Sequence, residues 1–309
     1  MASKPTRYPI YILSRGRWES RLTSKTYEEM GIPYRIVVED GEYDKYAAVI
    51  DPKKIIALPT DFREDPRYAI KDEAGLCGGG IPARNFIWEH SIKEGWDRHH
   101  IQDDNIRWFY RLHKNTKLKV KSSVPLRVLE DFTDRFENVK MSGFNYDYFA
   151  PSGSARPAFY LNTRVYSCIM LSNDIKHRWR GKYNEDTDLS LRILKDGHCT
   201  ILLNAFLAGK ITTLTMKGGN TEEIYKLGNA EEFDNRYKFA KSLYDQHPDM
   251  VEITQKWGRF HHHVRYDVFK QKLKLKEGIE IPREPNEYGL KLVRVNEEDR
   301  NIIEEELKL

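Results

Sequence analysis

Cysteine is scarce in this chain of 309 residues, which contains three: Cys77, Cys168 and Cys199. Their spacing matches neither a disulfide framework nor the paired cysteines of a zinc site. We therefore expect a reducing, cytoplasmic location. Long apolar runs are also missing, and the apolar stretch 8–13 near the start is too short for a signal peptide. The sequence predicts no contact with a membrane, and nothing in it indicates an obligate protein partner.

A large excess of charge of one sign is absent as well. The 51 lysines and arginines are nearly balanced by 47 acidic residues, for a net charge of +4. Any surface that binds nucleic acid must therefore be a local patch. The motifs Gly-x-Gly-x-x-Gly and Gly-Lys-Ser/Thr are missing too. Their absence disfavours a dehydrogenase-type dinucleotide fold and a phosphate-binding loop.

The chain instead has short apolar segments that alternate with amphipathic ones. We predict strands over 8–13, 34–38, 54–58, 139–144, 159–161, 165–171 and 200–207, and helices over 20–30, 43–48, 126–138, 189–195 and 231–247. The last two short strands before 189 are expected to pair with each other. Strand–helix alternation with short links predicts an α/β fold whose mixed, mainly parallel sheet is flanked by helices. We place the catalytic domain at 1–225 and a C-terminal helical extension, packed on it, at 226–309.

Polar side chains follow the first two predicted strands. Ser14 and Arg15 come directly after the first strand, and Glu39 ends the second. The carboxyl ends of strands in such sheets form ligand-binding crevices, so these groups suit contact with a nucleotide. The alternative for Ser14 and Arg15 is a simple turn into the next helix.

A glycine-rich turn and an acidic strand end follow. Gly78 to Gly80 lead into a helix whose first turn carries Arg84 and Asn85, which suits contact with a diphosphate or a sugar. The segment 99–106 is predicted to be a strand ending in Asp103, Asp104 and Asn105. Oxygen ligands of this kind hold a hard divalent cation. The alternative is that the acids cap the next helix.

A second acidic group, Glu185 and Asp186, opens the helix predicted at 189–195. Either side chain can serve as a general base for an attacking hydroxyl. Capping of the helix is the alternative. Lys217, in a later glycine-containing turn, is a further candidate for contact with a phosphate.

Basic and aromatic residues alternate in three segments, 106–129, 176–182 and 257–266, and the candidate contacts are taken from the first two. These candidate nucleic-acid contacts are Arg107, Arg111, Lys114, Arg178, Trp179 and Arg180. Such mixtures suit a nucleic-acid backbone with an unstacked base. For the first segment the alternative is a solvated amphipathic hairpin with its aromatic side chains turned inward.

The order of these motifs resembles a GT-A type glycosyltransferase over residues 8–215. More narrowly, it resembles the bacteriophage TET-associated glycosyltransferases. The segments that carry this resemblance are Ile10-Tyr11-Ile12-Leu13-Ser14-Arg15-Gly16-Arg17, Gly80-Ile81-Pro82-Ala83-Arg84-Asn85, Gln102-Asp103-Asp104-Asn105-Ile106 and Asn184-Glu185-Asp186-Thr187-Asp188. Asn105 departs from the Asp-x-Asp pattern, which puts the metal assignment in doubt, although an amide oxygen still ligates hard ions.

The resemblance implies transfer of a sugar, most simply glucose from UDP-glucose, onto 5-hydroxymethylcytosine in phage DNA. Mn²⁺ or Mg²⁺ on Asp103 and Asn105 would hold the diphosphate, with Asp104 on the ribose or the sugar. Asp186 or else Glu185 would be the base, in the cytoplasm of an infected bacterium. Two alternatives stay open: the same fold acting on a glycan, lipid or protein, and a non-catalytic nucleic-acid-binding protein.

Overall fold

The structure is a computed structural model, and it describes residues 5–113, 116–151, 153, 156–211 and 229–280, with only the backbone for 229–234. Its centre is a mixed sheet of ten strands. In chain order these are β1 Ile10–Leu13, β2 Arg35–Glu39, β3 Ile55–Leu58, β4 Arg98–Asp103, β5 Ile106–His113, β6 Thr116–Val120, β7 Val139–Tyr146, β8 Phe159–Leu161, β9 Cys168–Ser172 and β10 Cys199–Lys210. Across the sheet the order is β3-β2-β1-β4-β9-β7-β10-β5-β6, with β8 paired to β10.

The N-terminal part of the sheet is parallel. Strand β1 pairs in parallel with β2 on one side and with β4 on the other, and β2 pairs in parallel with β3. Ile10, Tyr11 and Ile12 are buried, as expected for a strand covered on both faces. The carboxyl ends of β1, β2 and β4 therefore lie side by side, and Leu13 pairs directly with Asp103.

Six described helices accompany the sheet. They are α1 Leu22–Glu29, α2 Tyr43–Ala47, α3 Ile81–Lys93, α4 Val124–Thr133, α5 Glu185–Lys195 and α6 Asn229–Gln246. Pro82 stands in the first turn of α3, where a missing backbone N–H costs nothing. The α/β class and the mixed sheet flanked by helices, as predicted from sequence, are confirmed.

The pairing of the two short strands was predicted wrongly. Strand β8 pairs antiparallel with β10, whereas β9 inserts antiparallel between β4 and β7. Local sequence patterns indicate which strands are neighbours along the chain. These two strands instead pair with strands that are distant in sequence. The basic run after Asn105 forms the antiparallel hairpin β5–β6, the alternative considered for it.

The described part of the C-terminal extension is not purely helical. After α6 comes an antiparallel hairpin of β11, Val251–Lys256, and β12, Arg259–Val264. The segment after the hairpin returns to the catalytic part, where Leu275 bridges to Phe136. The predicted domain boundary at 225/226 lies outside the described residues. Among the residues that the structure describes, no helix has both the length and the apolarity that crossing a membrane requires.

A buried ionic cluster joins the extension to α5. The carboxylate of Asp188 accepts hydrogen bonds from His247 Nε2 at 2.9 Å, Arg180 Nη2 at 3.0 Å and Arg192 Nε at 2.9 Å. Burial acts to raise the pKa of Asp188, but the hydrogen bond from His247 and the two guanidinium groups outweigh it and hold the pKa well below its usual range. The cluster therefore fixes α5 against α6.

We predict that Asp188→Asn lowers the free energy of unfolding by about 3 kcal/mol at neutral pH, because it leaves buried cations without their counter-ion. Urea unfolding measures this. The matched control Asp249→Asn, in an exposed pair with Lys195, should cost less than about 1 kcal/mol. The contribution of Asp188 is complete above its unfolded-state pKa of about 4 and declines as the pH falls below it. Equal losses in both variants would contradict the role of the cluster.

Candidate active site

A cavity of about 470 Å³ opens at the carboxyl ends of β1, β2 and β4. Parallel sheets bind ligands at this edge. Nine of the residues singled out from sequence line this cavity: Ser14, Arg15, Glu39, Arg84, Asp103, Asp104, Asn105, Glu185 and Asp186. Four sequence motifs and the end of β2, spread over more than half of the chain, thus meet at one site.

One end of the cavity is formed by the ends of β1 and β2. The carboxylate of Glu39 pairs with Arg15 Nε at 3.1 Å and with Arg63 Nη2 at 2.5 Å. Phe62 lies beneath the Arg63 guanidinium, 4.9 Å from ring centroid to Cζ. A carboxylate between two guanidinium groups provides hydrogen-bond acceptors and donors side by side. This combination suits the polar groups of a nucleoside.

Asp104 faces this same end. Its carboxylate accepts a hydrogen bond from Ser14 Oγ at 2.7 Å and is paired with Arg17. Burial raises the pKa of Asp104, and the attraction of Arg17 only partly offsets that effect. Because these contacts hold the side chain between the ends of β1 and β4, Asp104 does not stand at the centre of the cavity.

Asp103 stands closer to the centre, between two cations. Its Oδ1 pairs with Arg84 Nη2 at 3.2 Å, and its Oδ2 accepts from Lys210 Nζ at 2.9 Å. The ammonium of Lys210 also donates to Ser167 Oγ at 2.7 Å and to Tyr146 OH at 3.2 Å. Burial acts to raise the pKa of Asp103, but Lys210 and Arg84 outweigh it and lower the pKa to about 2.

As arranged, these side chains do not fit a divalent cation. Such an ion needs several anionic or neutral oxygens, but both carboxylate oxygens of Asp103 already accept from cationic groups. Asp104 is engaged by Ser14 and Arg17. Among the described residues, no group of three or more His, Cys, Asp and Glu side chains has metal-binding geometry. The metal on Asp103 and Asn105 stays an untested prediction, and no step proposed below depends on it.

Asn105 nevertheless has a hydrogen-bond acceptor that is unsatisfied within the described part of the chain. Its Oδ1 is buried and finds no hydrogen-bond partner within the part of the chain that the structure describes. Buried polar atoms are usually paired. The amide oxygen, on a residue that lines the cavity, is therefore available to accept a hydrogen bond from a ligand hydroxyl.

The second acidic group stands opposite, in the first turn of α5. Asn184 precedes the helix in the left-handed conformation, at φ 55°, which asparagine tolerates better than most residues. Asp186 Oδ1 accepts from the backbone N–H of Thr187 at 2.7 Å. Glu185 Oε1 lies 4.0 Å from Arg84 Nε. Burial raises the pKa of Glu185, and Asp186 adds to the shift while Arg84 opposes it.

Two cationic site residues, Arg164 and Lys210, were missed from sequence because their neighbours are distant in the chain. Arg164 and Lys210 line the cavity. His262, on β12, is close enough to Arg164 and Asp186 for electrostatic interaction. Its burial, reinforced by Arg164, lowers its pKa to about 4 against the opposing charge of Asp186. The extension therefore contributes to the surroundings of the second acidic group.

An aromatic cluster forms the other end of the cavity. Tyr148 and Phe149 line it, and each is 46% exposed. Their rings pack on Tyr146, at centroid distances of 5.0 and 5.7 Å. Tyr166 packs on Tyr146 at 4.4 Å and on the edge of Phe149 at 6.3 Å. In the sequence this cluster is marked only by three aromatic residues close together, Tyr146, Tyr148 and Phe149.

Two predicted ligand contacts are corrected by burial. Asn85 is fully buried and does not line the cavity; its Nδ2 donates to the carbonyl oxygens of Tyr68 and Trp179, both at 2.8 Å. Trp179 is also fully buried, so its indole cannot stack on a nucleic-acid base. It packs beneath Arg84, whose Cζ lies 5.0 Å from the ring centroid. Asn85 and Trp179 therefore pack behind the site and do not contact a ligand in the cavity.

The remaining predicted nucleic-acid contacts differ in their accessibility. Arg178 pairs with Glu89, and Arg180 pairs with Asp188 and Glu73, so both are engaged in ion pairs within the chain. Arg107 is exposed beside Trp108, and Arg111 is partly exposed beside Phe206. Lys114 and Lys217 lie outside the described residues.

The buried position of Asn85 predicts that its side chain stabilises the fold and does not bind the nucleotide. We expect Asn85→Ala to lower the free energy of unfolding by at least about 2 kcal/mol, because backbone groups of Tyr68 and Trp179 lose their partner. Nucleotide affinity, measured well below the melting temperature, should be unchanged. Weaker nucleotide binding without any loss of stability would instead restore Asn85 as a ligand contact.

Comparison with known families agrees with this geometry. The model of the TET-associated glycosyltransferase family matches residues 8–219. That range contains the strand ends, the glycine-led helix α3, the acidic turn and the start of α5. A comparison with curated proteins finds no significant match. The family match covers about two thirds of the chain, and the chain belongs to the TET-associated glycosyltransferases and is a glycosyltransferase enzyme.

Proposed function

We propose that this glycosyltransferase moves a sugar from a nucleotide diphosphate donor to the hydroxyl of 5-hydroxymethylcytosine in DNA. The observation that carries the proposal is the placing of cationic groups, Arg84 and Lys210, and a pair of acids, Glu185 and Asp186, around one cavity. Sugar transfer needs both: positive charge for the leaving diphosphate and a base for the attacking hydroxyl.

The donor lies along the strand ends. The nucleoside occupies the end of the cavity with Arg15 and Glu39, and UDP-glucose is the donor to test first. The diphosphate lies near the amino end of α3, where Gly79 and Gly80 line the cavity and the helix dipole attracts anions. Asn105 Oδ1 accepts a hydrogen bond from a hydroxyl group of the nucleotide sugar.

The acceptor hydroxyl attacks from the side of α5. Asp186 removes the proton as the oxygen bonds to the anomeric carbon, and the bond to the diphosphate breaks with its electron pair on the phosphate oxygen. The products are the glycosylated base, the nucleoside diphosphate and a protonated carboxyl group. Direct attack from the opposite face inverts the anomeric centre. Glu185, the residue before Asp186, is the second candidate base.

The aromatic cluster supports a base as acceptor. A cytosine within a duplex cannot reach a pocket of this kind, so it is extruded and stacked on an aromatic ring. Tyr148 and Phe149 offer such exposed rings.

A basic face lies next to this cluster. On β5–β6, Trp108 stacks under Lys119, with 4.1 Å between the ring centroid and Nζ. Lys117 interacts electrostatically with Asp147, the residue before the exposed rings. DNA phosphates bound along this face would lead the strand to the pocket. An enzyme with this acceptor acts in the cytoplasm of an infected bacterium.

The direct test is transfer itself. The protein is incubated with a panel of nucleotide sugars and DNA containing 5-hydroxymethylcytosine, and the nucleosides are weighed by mass spectrometry after digestion. We expect a hexose-sized gain on the modified cytosine. Asp186→Asn should reduce the rate at least about 100-fold, because the base is lost. Asp249→Asn, on the exposed surface, should leave the rate unchanged.

The possible failures differ in meaning. Turnover of a nucleotide sugar without a gain on DNA would favour a glycan, lipid or protein acceptor. Salt-dependent DNA binding without turnover of any donor would contradict the assignment of an active enzyme. If Asp186→Asn stayed active and Glu185→Gln did not, the base would be Glu185.

A second prediction concerns the acceptor. Tyr148→Ala should raise the KM for modified DNA about 10-fold, since stacking of one base on an aromatic ring contributes roughly 1–3 kcal/mol. The affinity for the donor nucleotide should not change. Trp257→Ala is the control, because Trp257 is 88% exposed and does not line the cavity. An equal effect of both substitutions would remove the stacking role of Tyr148.

A further inference from the structure

Lys210 and Arg84 flank Asp103 at the position that the resemblance assigns to a divalent cation. We infer that these two side chains, together with the amino end of α3, bind the donor diphosphate and stabilise the leaving group, so that sugar transfer needs no divalent cation. This inference rests on the proposed function, because it takes the cavity as a nucleotide-sugar site.

Lys210 is placed by an irregularity of the sheet. At the end of β10 the pairing with β5 shifts register between Gly209 and Lys210. The Lys210 side chain is only 11% exposed and meets Asp103, Ser167 and Tyr146 inside the cavity. These contacts hold the side-chain ammonium group beside Asp103 within the cavity.

Arg84 supplies the independent observation. Its side chain is 9% exposed, and its Nε and Nη1 atoms are buried without a hydrogen-bond partner among residues 5–113, 116–151, 153, 156–211 and 229–280. Glu185 Oε1 lies 4.0 Å from Nε, which is too distant for a hydrogen bond. Orphaned guanidinium donors on a cavity-lining residue require an anionic or strongly polar ligand.

Asp103 then has a different task from that of a metal ligand. Each of its carboxylate oxygens accepts from one cation, so the local sum of the three charges is positive. A divalent ion would add a third positive group around the same carboxylate. A diphosphate instead meets two cations already in place, and it supplies acceptors for the unpaired donors of Arg84.

The two cations act on the bond that breaks. As the bond between the anomeric carbon and oxygen lengthens, negative charge grows on the diphosphate. N–H donors fixed in advance at this position stabilise that charge without rearrangement. Gly80 keeps the space open, because a Cβ atom there would lie 3.1 Å from Leu13 Cδ2 and 3.7 Å from Arg84 Nε.

Calorimetry with pyrophosphate and with UDP tests the site without relying on catalysis. We expect both to bind in EDTA, with affinities that added Mn²⁺ does not raise. Lys210→Met should weaken UDP roughly 10- to 100-fold, the range for loss of a charge-assisted contact, and Lys210→Arg should retain most of the affinity. Lys140→Met is the matched control, because Lys140 also pairs with an aspartate, Asp174, but outside the cavity.

Each result leads to a different conclusion. Binding of UDP that requires Mn²⁺ would overturn the inference and leave the proposed function standing, as would unchanged UDP affinity in Lys210→Met that circular dichroism shows to be folded. Lys210-dependent pyrophosphate binding in EDTA, without turnover of any nucleotide sugar, would support the anion site and overturn the proposed function. Sugar transfer that persists in EDTA would support both.

Discussion

The ion pairs around Asp103 are the interaction on which the site depends. They join the end of β4 to the first turn of α3 through Arg84 and to the end of β10 through Lys210. Strand β4 follows α3 directly in the chain, whereas Lys210 lies 107 residues after Asp103 and reaches it only through the arrangement of the sheet. Without the carboxylate, two nearly buried cations would repel each other, so Asp103 makes the cationic centre of the cavity possible.

The cavity is divided by this centre into two chemically different ends. The ends of β1 and β2 provide charged and hydrogen-bonding groups, such as Glu39 between Arg15 and Arg63. The opposite end is aromatic, with Tyr148 and Phe149 partly exposed. Lys210 donates to Tyr146 OH, so the aromatic end borders the cationic centre directly, and Glu185 of α5 lies beside Arg84.

The C-terminal extension also contributes to the site. His247 of the extension bonds to Asp188, two residues beyond the candidate base Asp186. Asn184, just before the helix, donates to the carbonyl oxygen of Phe239 at 2.7 Å. The first turn of α5 is therefore held by α6 and by His247, which directly follows it. The extension is part of the support of the catalytic acids, although the family match ends at residue 219.

The sequence by itself determined the α/β class and the positions of the polar strand ends, because strand periodicity and the residues after each strand are local properties. The motifs and their order also identified nine of the residues that line the cavity. Only the tertiary structure decided that Asp103 pairs with Lys210, that Asn85 and Trp179 are buried, and that β9 inserts between β4 and β7. Pairing and burial depend on which distant segments come together, and no local pattern of residues encodes that.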